Sequence, residues 1–265
     1  MATTIFVVDA FTNKAFSGNP AAVCVLADAA NATWMQQVAA EMNLSETAFL
    51  HPHEDGYSLR WFTPNTEVDL CGHATLASAH ILWEAEHADS KQPIKFYTKS
   101  GVLSAAKKGE WIELDFPAEP PGEVKMYPKE LVAALGIEPL YVGRNRFDYL
   151  VEIESEETLK ELKPDFSLLQ QLETRGIIVT SKSLSNEFDF VSRSFFPAIG
   201  IQEDPVTGSA HCCLAPYWQK KITKDHFLAH QASERGGTLK IHLQEDRVLI
   251  SGQAITTLKS ELLHN

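Results

Sequence analysis

Three short stretches of the 265-residue chain carry residue types whose spacing could do chemistry. "NLSETAF" offers Ser45 and Glu46, "EVDLCGHA" offers Cys71, Gly72 and His73, and "EDPVTGSAHCC" offers Asp204, Thr207, Gly208 and Ser209 ahead of His211, Cys212 and Cys213. Metal ligation is the first chemistry such residues suggest. His211, Cys212 and Cys213 are consecutive on an expected helix and cannot all point at one ion, and Cys71 with His73 lacks a second pair at zinc spacing. No metal site is expected, and the vicinal cysteines read as small packing residues. "TGSAH" has one glycine beside Ser209, not the two of a nucleophile elbow, and no Gly-Lys-Ser/Thr phosphate loop occurs. Proton transfer remains, with Glu46, His73, Asp204 and Cys71 as candidates. Glu46 falls between a helix end and an apolar strand, where desolvation would raise its pKa toward that of a working general base. Cys71 at a helix start would have a lowered pKa.

The elements that must position these residues alternate between strands and two strongly apolar helices. "TIFVVDAF" and "AAVCVL" read as strands joined by a tight turn at "FSGNP". The pattern of "TWMQQVAAEM" predicts a helix with Thr33 as N-cap and Trp34, Met35, Val38 and Met42 on one face. "CGHATLASAHILWEA" and "GSAHCCLAPYWQK" are apolar over most of their circumference, as in helices buried on nearly all sides. "IKFYT", "VLSAA" and "WIELDF" precede a proline-rich linker, "PAEPPGE"; the second half repeats the strand-rich pattern through "RFDYLVEI", "GIIVTS", "DFVSRSFF", "GTLKIHL" and "RVLISGQAI". Two α+β domains follow, 1–118 and 119–265.

The halves also match each other. "RWFTP" (Arg60 to Pro64) aligns with "RSFFP" (Arg193 to Pro197), and "EVDLCGHA" with "EDPVTGSA", pairing Glu67 with Glu203, Cys71 with Thr207 and Gly72 with Gly208. Each block lies between a strand and a buried helix, so a duplication supplies two helix starts expected to face one cleft. The unpaired N–H groups and dipole of such starts can hold a carboxylate without any arginine.

Composition narrows the partners. The chain is 44% hydrophobic and 22% charged with a formal net charge of −12, and its Lys and Arg are scattered, which argues against nucleic acid. No apolar run approaches the roughly 20 residues of a membrane span, and the start lacks the features of a signal peptide. Four cysteines without CxxC spacing, two of them vicinal, suit free thiols in a cytoplasmic protein.

"DAFTNKAFSGNPAAV", "MNLSETAFL", "RWFTPNTEVDLCGHATLASAH", "EDPVTGSAH" and "SERGGTLKI" together resemble the PhzF-like family, named for the phenazine-biosynthesis isomerase, along essentially the whole chain. The resemblance implies an α+β, diaminopimelate epimerase-like fold: two pseudo-symmetric domains, each a mixed β-barrel around a central helix, with the active site between them. In that fold the last strand often returns to the first domain, and a homodimer is the common form. By the same resemblance Glu46 is the general acid/base, with His73 and Asp204 assisting it. Asn19, Ser45, Cys71, Gly72, Thr207, Gly208 and Ser209 are expected to line the substrate site, and no cofactor is implied.

Epimerases of this fold use two cysteines, one per half. Here the partner of Cys71 is Thr207, whose hydroxyl pKa lies far above the ~8.5 of a thiol, which disfavours two-base racemisation. The expectation is a cofactor-independent isomerase that moves a proton between carbons of a small carboxylic acid. A two-base epimerase using Cys71, and a non-catalytic binding protein that keeps the fold, are the alternatives.

Overall fold

The computed structural model describes residues 3–263, which divide into two compact units: residues up to Asp115 together with those from Ser251 on, and Phe116–Ile250. The strands in chain order are β1 (Thr3–Ala10), β2 (Asn19–Val25), β3 (Glu46–His53), β4 (Gly56–Phe62), β5 (Glu67–Val68), β6 (Ile94–Thr98), β7 (Gly101–Lys108), β8 (Trp111–Pro117) and β9 (Gly122–Glu123). They continue as β10 (Tyr141–Arg144), β11 (Asp148–Glu152), β12 (Gly176–Lys182), β13 (Phe190–Phe196), β14 (Ile201–Asp204), β15 (His226–Gln231), β16 (Gly237–Gln244), β17 (Arg247–Gly252) and β18 (Ala254–Leu262). The helices are α1 (Ala32–Met42), α2 (Gly72–Glu84), α3 (Lys129–Leu135), α4 (Glu156–Glu161), α5 (Phe166–Leu169) and α6 (Gly208–Ile222).

The repeat seen in the sequence is written into the strand pairing. In the first unit β1 and β2 are antiparallel, β2 and β3 parallel, β3 and β4 antiparallel, β4 and β5 antiparallel, β4 and β6 parallel, and β6 and β7 antiparallel. In the second unit β10 and β11, β11 and β12, β12 and β13, β13 and β14, β13 and β15, and β15 and β16 follow the same sequence of orientations. The leading strand of each unit gains one more antiparallel neighbour, β18 beside β1 and β9 beside β10. Parallel pairs need a crossover, which is where the helices enter. Helix α1 joins β2 to β3, α4 and α5 lie between β11 and β12, and α2 and α6 fill the corresponding crossovers from β4 to β6 and from β13 to β15.

In the first unit the sheet is covered on both faces, so its central strands are apolar throughout rather than alternating. Ala22 and Cys24 of β2 and Phe49 of β3 pack with Met35, Val38 and Ala39 of α1. The intervening residues Ala21 and Val23 turn the other way, and α2 packs against β1, β2, β3, β7 and β18. Nearly every side chain of α2 is buried, and its two hydroxyls are satisfied within the helix: Thr75 Oγ1 donates to the Cys71 carbonyl at 2.6 Å and Ser78 Oγ to that of Ala74 at 2.7 Å. Strand β18 is fastened to α2 through His80 Nε2, 3.1 Å from Thr256 Oγ1. In the second unit α3, α4 and α5 cover the outer face, with Leu131, Leu135, Leu159 and Leu169 packed on Val151, Ile177, Val179 and Val191.

Two local readings of the sequence change. Helix α1 is capped by Asn31, whose Oδ1 accepts from the Thr33 backbone N–H at 2.7 Å, because the helix begins at Ala32 and Thr33 is already inside its first turn. Helix α6 contains Pro216, which removes the N–H that would bond the Cys212 carbonyl. The Glu119 backbone N–H takes that acceptor at 3.0 Å, so the buried carbonyl is not left unpaired. Among the described residues no helix is long and apolar enough to cross a membrane.

Candidate functional site

The first unit brings six of the expected residues together: Asn19, Ser45, Glu46, Cys71, Gly72 and His73. Gly18 turns the chain into β2 with φ of +66°, and a Cβ there would sit 2.2 Å from the Ala10 carbonyl oxygen, so only glycine fits. This turn delivers Asn19, fully buried at the start of β2. The Asn43 αL cap ends α1 two residues before Ser45, and β3 begins at Glu46, beside β2 in parallel register. From the other side comes the start of α2, with Cys71 at the N-cap in extended conformation and Gly72 and His73 in the first turn.

Ser45 Oγ lies 3.4 Å from Asn19 Oδ1 and 3.3 Å from His73 Nε2. His73 Nε2 lies 3.2 Å from Glu46 Oε2, and Cys71 Sγ 3.6 Å from His73 Nδ1. The His73–Glu46 contact lacks the alignment of a hydrogen bond, so Glu46 Oε2 is a buried oxygen without a hydrogen-bond donor among the described residues.

The electrostatics of this cluster correct two expectations. Burial alone would raise the pKa of Glu46, but the contact and charge of His73, helped by Ser45 and Cys71, outweigh it and hold the carboxyl below its usual range. For His73, burial disfavours the imidazolium, yet Cys71 and Glu46 reverse the balance and take its pKa well above the ordinary histidine value. Cys71, expected to be acidified by the helix start, is instead pushed up to about 11 by burial and by the neighbouring Glu46 carboxylate. With the thiol neutral, Glu46 is the anion that holds the His73 proton. These shifts favour charge on Glu46 and His73 and a neutral Cys71 thiol. These three side chains also bring oxygen, sulfur and nitrogen within 4.8 Å of one another, a ligand set that zinc could use only after His73 gives up its proton.

The second unit gathers Asp204, Thr207, Gly208 and Ser209 at the start of α6, with a different chemistry. Thr207 occupies the N-cap, as Cys71 does in α2, and its Oγ1 donates to Asp204 Oδ2 at 2.5 Å. Gln231, fully buried at the end of β15, ties the same turn together. It accepts from the Thr207 N–H at 2.9 Å and donates to the Asp204 carbonyl at 2.7 Å and to Thr207 Oγ1 at 3.2 Å. Ser209 Oγ accepts from Arg175 Nη2 at 3.2 Å, and Arg175 forms a bidentate pair with buried Asp148 at 2.9 and 2.5 Å. A helix start served by an arginine revises the expectation that backbone donors act alone there. His211, one turn on, is neutral: burial lowers its pKa to about 4, and Nδ1–H donates to the Thr207 carbonyl at 2.8 Å.

Gln231, Arg175 and Asp148 were not among the sequence candidates. Arg175 had a signal, a lone arginine directly before the buried strand "GIIVTS", whereas Gln231 lies inside an unremarkable strand end. Both matched blocks also keep their ion pair. Arg60 Nε and Nη2 bond Glu67 Oε1 and Oε2 at 2.7 and 2.9 Å, and Arg193 bonds Glu203 in the same fork at 2.7 and 2.8 Å. All four cysteines are free and buried.

Comparison with known proteins agrees with this architecture. Residues 8–260 match the family model PhzC-PhzF, described as phenazine biosynthesis-like protein. A protein of Halalkalibacterium halodurans called an uncharacterized isomerase is 72% identical over 99% of both chains. The crystal structure of a PhzF-family phenazine biosynthesis protein from Enterococcus faecalis superposes with a TM-score of 0.95 at 43% identity, covering 100% of each chain. A predicted epimerase of Pseudomonas aeruginosa, 21% identical with a TM-score of 0.78 over 99% of this chain and 100% of its own, shares the fold. The fold is thus diaminopimelate epimerase-like, and the chain belongs to the phenazine biosynthesis-like family, among the isomerases.

Proposed function

We propose that this isomerase moves a proton between carbons of a small carboxylic acid without a cofactor, with Glu46 as general acid/base. One observation carries the proposal: the buried Glu46 carboxylate stands 3.2 Å from the His73 imidazole, and its Oε2 has no hydrogen-bond donor among the described residues. A carboxylate in that state is a base at neutral pH without prior deprotonation, and its open Oε2 is the oxygen positioned to accept a proton. Glu46 takes the proton from a carbon activated by a neighbouring double bond or carbonyl and returns it at another carbon. His73 supplies positive charge to the electron pair left on the substrate. Asp204, Thr207 and Ser209, with the first-turn N–H groups at Gly72 and Gly208, are assigned to holding the substrate and its carboxylate. Arg175 and Gln231 join them as positioning residues.

The two-base alternative is disfavoured because the Cys71 thiol is held neutral and the matching position is a threonine committed to Asp204. The test is incubation in D₂O with a panel of small unsaturated carboxylic acids, followed by NMR. Deuterium should enter a substrate carbon with the native enzyme and with Cys71→Ser, and fail to enter with Glu46→Gln. Exchange at the native rate in Glu46→Gln, with loss in Cys71→Ser, would overturn the assignment.

A further inference from the structure

Apart from the Glu46 cluster, one other group of ligand-type side chains converges in the described residues: Asp225, His226 and His242. His226 and His242 are directly opposite each other on antiparallel β15 and β16, and their rings stack with centroids 3.7 Å apart and planes 22° apart. Asp225 closes the end of this ladder, accepting the Leu243 backbone N–H at 2.8 Å. A nitrogen of each ring and an oxygen of Asp225 all lie within 4.8 Å of one another.

The outer contacts sort the four ring nitrogens. His226 Nδ1 is 2.8 Å from Asp225 Oδ1, so Nδ1–H donates to the carboxylate and Nε2 is left with its lone pair. His242 Nδ1 lies 3.1 Å from Gln244 Nε2, which donates to it as placed; a half-turn of the exposed amide brings its oxygen round to accept Nδ1–H instead, which frees Nε2 for a metal. His226, held by a carboxylate at Nδ1 and free at Nε2, has the arrangement that orients metal-ligating imidazoles. Directly opposed residues on antiparallel strands hold their Cβ atoms about 5 Å apart, close enough for both Nε2 atoms to reach one ion at metal–nitrogen distances of about 2.1 Å. The rings must leave their stack to aim at it, and His226, with a side chain 67% exposed, is free to turn.

We propose that His226 and His242 form a surface site for a nitrogen-preferring divalent transition ion such as Cu²⁺ or Zn²⁺, with Asp225 orienting His226. Two imidazoles select such ions over Mg²⁺ or Ca²⁺, which prefer oxygen. The ion clips β15 to β16 and is independent of the chemistry assigned to Glu46.

Titration of the full chain with CuSO₄, read by electron paramagnetic resonance, tests the site. One equivalent should bind with coupling to two imidazole nitrogens, in the native protein and in His73→Gln alike. That signal should vanish in His226→Gln and in His242→Gln, and Asp225→Ala should weaken binding roughly tenfold. ZnCl₂ should raise the thermal midpoint of the native protein but not of the two histidine variants, whose exposed (His226) and half-buried (His242) surface positions leave folding intact. Absence of the two-nitrogen signal from the native protein, or its survival in either histidine variant, would overturn the proposal.

Discussion

The two helix starts, at Cys71–Gly72–His73 and at Thr207–Gly208–Ser209, share a backbone and differ in charge. Both N-caps are extended, both helices begin at glycine, and in both halves an arginine–glutamate fork joins the two strands that precede the helix. At the first, burial traps an ion pair, because Glu46 on β3 gives His73 an anion. At the second, the histidine is two residues further into the helix with only a carbonyl to bond, and burial favours its neutral form. One duplicated frame thus yields a charged half and a neutral, hydrogen-bonded half. Under the function proposed above, the placement of one carboxylate sets which half moves the proton.

Removing that carboxylate should therefore have the largest effect. Glu46→Gln keeps the shape of the side chain and should lower turnover about 10³-fold, within the range ascribed to a positioned general base. Asp204→Asn in the neutral half should cost about tenfold if its role is binding and orientation. Comparable losses in the two variants would erase the distinction between the halves.

The two histidines should next separate in the pH dependence of stability. His211 has a folded pKa of about 4 against 6.5 unfolded, so its unfolded form binds the proton more tightly. Stability is full above 6.5 and falls by about 3 kcal/mol as pH drops to 4. His211→Asn, which can still donate to the Thr207 carbonyl, should flatten that part of a denaturation series. His73 has the opposite sign. Its raised folded pKa makes its contribution full below 6.5 and lost as pH rises through the folded value. Glu46, lowered from 4.5, contributes above 4.5 and loses that as pH falls. The pair is thus fully stabilising between about 4.5 and 6.5, and a series on His73→Gln that kept the native alkaline slope would contradict the ion pair.

The matched arginines should differ by a smaller margin. Arg193 is nearly buried and also donates to the Leu159 and Leu162 carbonyls, so Arg193→Ala strands an anion and two acceptors and should cost about 3 kcal/mol. Arg60 is more exposed, and Lys99 Nζ, 2.6 Å from Glu67 Oε2, can compensate in its absence. Arg60→Ala should cost about 1 kcal/mol by urea unfolding. Equal losses would mean that the two forks are interchangeable despite their surroundings.

Much of this frame was legible in the chain because local pattern and global fold agree. The all-round apolar helices announced α2 and α6, and the Arg-x-Phe-x-Pro repeat marked the strands that precede them. What was not legible is what depends on distance in space. The desolvation argument for Glu46 was correct in kind but reversed in result, since no spacing rule puts His73 3.2 Å from it. The helix-dipole argument for Cys71 failed because burial and that same carboxylate act more strongly on the thiol. Gln231 was invisible because a buried glutamine carries no periodic signature, and only its partners at Thr207 and Asp204 give it a role.

The smallest effect sharpens the comparison at the one position where the halves differ by a single side chain. If a missing thiol were all that separates this enzyme from a two-base epimerase, Thr207→Cys would restore a symmetric pair of thiols. The surroundings argue otherwise. Thr207 Oγ1 stands 2.5 Å from Asp204 Oδ2, and a thiol placed there would face a carboxylate that disfavours its ionisation, as Glu46 does for Cys71. The variant should lose about 1 kcal/mol of stability through the poorer hydrogen bond to Asp204. It should show no inversion of α-amino or imino acids by circular dichroism. Inversion by Thr207→Cys, abolished by adding Cys71→Ser, would show that the frame keeps a two-base geometry and that the carboxylates do not decide the chemistry.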